Sequence, residues 1–183
     1  IAEKESTEFT VQEVVDRSKQ SLRSFYQYFN GKEDVLAAVY DRWVDGLVTV
    51  IAAAVQVPQE PVDTLISALD AWLQYQEERG QASVSLMVEA ARPGSLLNPR
   101  RERTHDALVS TTDAAVQQVL GAKIDPLVFR ALLLGIEGLV LHLAAHGRLA
   151  EEHARLRRVV AGLFLTVLNR PGELPDPPRT PGR

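Results

Sequence analysis

The chain has 183 residues, 45% of them hydrophobic and 24% charged, with no Cys and a formal net charge of −4. That length and apolar share suffice for a sizeable core in one or two domains, while the missing Cys excludes disulfides and thiolate chemistry. No uncharged apolar run reaches the length of a spanning helix and no signal peptide opens the chain, so a soluble cytoplasmic protein without a membrane partner is expected.

In chain order, residues 1–6 read as the tail of a helix whose start lies outside the sequence. Residues 9–17 then form a short helix. Thr10 is its N-cap, with Glu13 at the spacing of a capping box, and Val11, Val14 and Val15 give an apolar face. Ser18, Lys19 and Gln20 form a turn of helix-turn-helix length. Ser21 caps a second helix in which Leu22, Phe25, Tyr26 and Phe29 recur at helical spacing. Arg23, Ser24, Gln27 and Tyr28 fall on the other side, which carries no carboxylate and suits an approach to phosphates and base edges. Asn30 and Gly31 end this helix.

The order Thr10-x-x-x-Val14-Val15, then Ser21-x-x-Ser24-x-Tyr26-x-Tyr28-Phe29-x-x-Lys32-Glu33-x-x-Leu36, closely resembles the DNA-binding signature of TetR/AcrR-family transcriptional regulators. The family usually has Ala-Gly-Val in the turn, so Lys19 stands where Gly is common. The resemblance implies an all-α protein: a helix-turn-helix domain over residues 1–44 and a helical effector-binding and dimerisation domain over 45–170. Residues 171–183, rich in Pro and with little to bury, read from their composition as a disordered tail. Arg23 and Gln27 are the candidates for base readout, with Leu22 near a thymine methyl. Thr10, Gln12, Ser24, Tyr26, Tyr28 and Lys32 are carried over as backbone-positioning residues.

The acidic net charge does not oppose this. Residues 17–32 hold Arg17, Lys19, Arg23 and Lys32 and no Asp or Glu, and only charges that touch phosphate enter the backbone term.

From Glu33 a long apolar pattern runs through Val35, Leu36, Val39, Tyr40, Trp43, Val44, Leu47, Val48 and Ile51, so a stiff helix should join the two domains. Prolines near residues 58–61 break it. Residues 62–79 place Leu65, Ile66, Leu69, Trp72, Leu73 and Gln76 on one face, Gly80 stops that helix, and residues 82–91 form a shorter one with Val84, Met87 and Val88 inward. A helix from about Pro99 to Gly121 has Leu108, Thr112, Ala115 and Val119 along one face.

Residues 127–143 are apolar almost all round, and residues 150–169 carry a stripe of Leu156, Val159, Val160, Leu163, Phe164, Val167 and Leu168. So much apolar surface on two successive helices suggests a subunit interface. The resemblance agrees, since the family pairs its last two helices with those of a second subunit; Leu139, Leu156, Val160, Leu163, Phe164 and Val167 are the candidates for a homodimer interface. The family architecture also implies a pocket for a small apolar effector, with Trp72, Met87, His105 and Phe129 as its candidates.

Enzymatic readings are weaker. Glu102-x-x-His105 matches one arm of a di-iron bundle, without a second arm. His142 and His146 put two imidazoles on one helix face without an identifiable third ligand, and read as surface or interface residues. No phosphate loop or nucleophile motif is present, so no cofactor or metal is expected. The expected function is a repressor released from a palindromic operator by a small molecule. The alternatives are a DNA-binding protein controlled by a protein partner and, more distantly, a metal-binding helical-bundle enzyme.

Overall fold

The computed structural model describes residues 7–56, 60–121 and 124–169. The expectations for residues 1–6 and for the tail at 171–183 fall outside them. Among the described residues there are seven α-helices and no strand: α1 (Val11–Ser18), α2 (Leu22–Tyr28), α3 (Lys32–Ala54), α4 (Pro61–Ala91), α5 (Asn98–Leu120), α6 (Pro126–Ala145) and α7 (Leu149–Asn169).

Local chemistry sets these boundaries. Pro opens α4, α5 and α6, where its missing N–H costs no helical hydrogen bond. Gly121 closes α5 in the left-handed region. The two segments expected either side of Gly80 are one element, α4, kinked where Gly80 takes φ 51° and ψ −136°. Only Gly reaches that conformation cheaply. The kink lets Leu69 and Leu73 upstream and Met87 downstream enter one cluster, while Leu86 and Ala90 enter another.

Three apolar clusters hold the bundle. The first joins α4 to α6 and α7 through Leu69, Leu73, Met87, Ile136, Val140, Leu156 and Val160. The second joins α3 to the end of α4 through Leu36, Tyr40, Leu86, Ala90 and Leu97. The third joins α5 and α6 through Val109, Val116, Ile124 and Phe129, with Phe164 and Val167 of α7 against it. Trp43 packs on the first and second clusters, so α3, unbroken through residue 44, is tied to both.

Several expected faces are rotated. On α3, Val39 and Val48 are exposed, as is Val88 on α4, where Ser83, Leu86, Met87 and Ala90 turn inward instead. On α5 the buried positions are His105, Val109 and Val116, and Ala115 is exposed. Leu156 and Val160, expected at a subunit interface, are only 5% and 1% exposed because they pack against α4 and α6 of the same chain.

By length and composition α6, with mean hydropathy 1.9, could span a membrane. Its charged side chains are engaged within the bundle. Glu137 pairs with Arg101, and Arg130 with Asp106 and with Glu102 at 3.2 Å.

Candidate nucleic-acid interface

The head is built from two capped helices and a strained turn. The Thr10 hydroxyl accepts from the Glu13 amide at 3.2 Å, and the Glu13 carboxylate accepts from the Thr10 amide at 2.8 Å, completing the capping box. Lys19 follows with φ 54° and ψ 34°, alone in positive φ among the described non-Gly residues. The helix-turn-helix geometry is therefore made here without the usual Gly, at a cost in backbone strain. The Ser21 hydroxyl accepts from the Ser24 amide at 3.0 Å and opens α2.

α2 exposes more than its periodicity implied. Phe25 is buried and Phe29 half-buried, in ring contact at 5.5 Å, but Leu22 is 45% and Tyr26 58% exposed. A helix of two turns packed through Phe25 has no second wall for them. Leu22, Arg23, Tyr26 and Gln27 consequently form one continuous exposed arc. Tyr28 and Lys32 are exposed just beyond it, whereas Ser24 is half-buried, its hydroxyl 3.4 Å from Gln20 Oε1.

The carboxylates nearby are turned into local structure. Asp16 accepts from the Gln12 side-chain amide at 2.6 Å, which engages Gln12 within its own helix. Asp34 accepts from the Asn30 backbone and side chain at 2.9 and 2.6 Å, and these bonds hold its carboxyl below the usual range. The arc on α2 thus presents a guanidinium, an amide, a phenol and an apolar tip with no acid among them, the equipment for base edges and phosphates.

The head is fastened to the bundle by polar bonds. Trp43 Nε1 donates to Ser83 Oγ at 2.9 Å, and Ser83 Oγ donates to Gln76 Oε1, so the chain spans the Gly80 kink. Tyr75 donates its hydroxyl to the Trp43 carbonyl at 2.7 Å. Arg100 of α5 reaches Asp41 of α3 at 3.1 Å. Sequence reasoning missed this joint; its one visible signal was Gln76 on an otherwise apolar face.

The four effector candidates are not gathered around one cavity. Trp72 and Met87 belong to the cluster shared by α4, α6 and α7, Phe129 to that of α5 and α6, and His105 to a buried polar site where its Nε2 lies 3.6 Å from Glu137. A partly open recess of about 10 Å³ lies between Leu65, Ile66, Leu69, Val160, Ala161 and Phe164, room for a water and no more. Burial pushes the Glu137 carboxyl up, but the Arg101 guanidinium bonded to it and the neighbouring His105 ring bring it below its ordinary value. Among the described residues, Gln76 Nε2 and His105 Nδ1 are buried without a hydrogen-bond partner.

No family model and no curated protein matches the sequence. In three dimensions the chain is similar to the crystal structure of a protein from Syntrophomonas wolfei described as a TetR-family transcriptional regulator, with a TM-score of 0.69 over 92% of this chain and 88% of that one, at 13% sequence identity. The chain has the all-α TetR-family fold, as the motif over residues 10–36 implied.

Proposed function

We propose that this chain is a sequence-specific DNA-binding transcriptional regulator that acts as a homodimer, most economically as a repressor released from a palindromic operator by a small molecule. The observation that carries this reading is the exposed arc of Leu22, Arg23, Tyr26 and Gln27, held on a capped two-turn helix beside Lys32. Arg23 and Gln27 read bases and Leu22 meets a thymine methyl. Tyr26, Tyr28 and Lys32 hold the backbone, with Thr10, Gln12 and Ser24 supporting them in part through bonds within the head. Residues 1–44 serve as the reading head and residues 45–170 as the sensing and pairing body.

Pairing is supported by the face that the single chain leaves open. Along α6, Leu127, Leu134, Gly135, Gly138 and Leu139 are exposed at helical spacing, and along α7 Val159, Gly162, Leu163 and Leu165 are exposed. A Cβ added at Gly135, Gly138 or Gly162 would meet nothing within 4 Å, so a second copy can come close there. Leu139 and Leu163 remain in the proposed interface, with Phe164 and Val167 at its edge. Leu156 and Val160 leave it for the core.

Control by a small apolar effector is supported by the buried, unpartnered Gln76 Nε2 and His105 Nδ1, donors or acceptors that a ligand entering near α4 and α5 would satisfy. The packed state of Trp72, Met87 and Phe129 favours a second reading, control by a protein partner without an internal ligand. An effector must bind the DNA-incompetent arrangement more tightly than the competent one.

Selection of bound fragments from genomic DNA tests the function. The expected outcome is enrichment of a two-fold symmetric site whose half-sites lie about 34 Å or a multiple apart. Recovery of no preferred sequence would reject the reading.

A further inference from the structure

The last turn of α6 carries a feature that DNA reading does not use. His142 and His146 stand four residues apart on the exposed side of the helix, with ring centroids 4.5 Å apart and ring planes inclined by 42°. The His146 Nδ1 lies 2.7 Å from the His142 carbonyl oxygen. A carbonyl only accepts, so Nδ1 carries the proton and the Nε2 lone pair of His146 is free. This is the second-partner arrangement that fixes a metal-binding tautomer.

We propose that His142 and His146 chelate a divalent ion of the zinc, nickel or copper class through their Nε2 atoms. The spacing fits. With metal–nitrogen bonds of about 2.0–2.1 Å and ring centres about 1.1 Å behind the nitrogens, two imidazoles on one tetrahedral ion have centres roughly 5 Å apart, within a small side-chain adjustment of the separation found. Imidazole donors select this class over calcium or magnesium, which take oxygen. Position helps as well, because the C-terminal end of a helix carries partial negative charge and favours a cation. Among the described residues no group of three His, Asp or Glu forms a metal site, so the ion keeps open positions. Those positions lie at the end of the exposed α6 stripe that includes Gly138 and Leu139, where water or a second copy's donors complete the shell.

Zn²⁺ titration of the chain by calorimetry, paired with the electron paramagnetic resonance spectrum of the Cu²⁺ form, tests this. Wild type, His142→Gln, His146→Gln and the double variant should be compared, with far-UV circular dichroism as the fold check; both side chains are exposed, so the variants keep the fold. Saturable Zn²⁺ binding, a two-nitrogen Cu²⁺ signal, and loss of both in each single variant are expected. Binding that survives in the double variant, carried by His105, His153 or carboxylates, would overturn the proposal, as would absence of saturable binding in wild type. Because no DNA enters the measurement, its outcome is independent of the operator test.

Discussion

Trp43 on α3 and Ser83 on α4 share a hydrogen bond of 2.9 Å that ties the helix leaving the N-terminal helix-turn-helix to the far side of the Gly80 kink. Ser83 is buried and also donates to the buried Gln76, so removing its hydroxyl leaves Gln76 Oε1 with no solvent to replace it. Ser83→Ala should therefore cost about 1–3 kcal/mol in denaturant unfolding, the penalty of stranding buried polar groups. Trp43→Phe removes the donor and also shrinks a ring packed on two clusters, so it should destabilise through lost packing as well as the lost bond. Equal and negligible effects from Ser83→Ala and an exposed control would show that the joint is not coupled to stability.

Gly46 faces Tyr75 closely. A Cβ there would lie 3.2 Å from Tyr75 Cζ and closer still to its hydroxyl, which donates to the Trp43 carbonyl. On helix propensity alone, Gly46→Ala would stabilise by ~1 kcal/mol. The crowding should reverse that sign, giving a net loss of about 1–2 kcal/mol. Thermal melts of Gly46→Ala beside Gly46→Ala/Tyr75→Phe decide the cause, since the double variant should recover part of the loss.

Lys19 holds a left-handed conformation that Gly adopts without penalty. Lys19→Gly is expected to stabilise the head by about 1 kcal/mol. If the Lys19 ammonium touches phosphate, the same variant should lower the salt slope of DNA binding by about 1. Unfolding and salt titrations separate the two effects, and destabilisation by Gly would contradict the strain argument.

The Glu137 carboxyl is held below its ordinary value against burial by Arg101 and His105. A carboxylate with a depressed folded pKa adds stability that is fully present above its unfolded value, about 4.5, and is lost as pH falls through the lower folded value. Glu137→Gln should cost about 3 kcal/mol near neutral pH, because it leaves Arg101 poorly compensated. The gap to wild type should narrow as pH drops below about 4.5. A gap independent of pH would show that charge on Glu137 contributes nothing.

Local signals were readable from sequence where one residue's chemistry decides the outcome. The Thr10–Glu13 capping box, the Ser21 cap, the interruption at Gly80 and the unusual Lys19 turn are all found. Faces were read less well, because periodicity gives a stripe but not its partner. Leu22 and Tyr26 match the spacing of Phe25 yet remain exposed, since a two-turn helix cannot bury its whole apolar side. Leu156 and Val160 share a stripe with Leu163, but α4 covers the first two and leaves the third open. The Trp43–Ser83–Gln76 chain lay beyond sequence reasoning because it joins residues far apart that no motif links.

The most direct test of the account is DNA affinity on the fragment recovered by genomic selection, measured for wild type, Arg23→Ala, Gln27→Ala and Lys32→Ala between about 50 and 200 mM salt. If a dimer neutralises about eight phosphates, wild-type affinity should fall by on the order of 10⁴ across that range. Arg23→Ala and Gln27→Ala should cost about 1–3 kcal/mol on the selected site and little on scrambled DNA, and Lys32→Ala should weaken both and flatten the salt slope. Binding that ignores salt and all three substitutions would contradict the assignment of α2 as the reading helix.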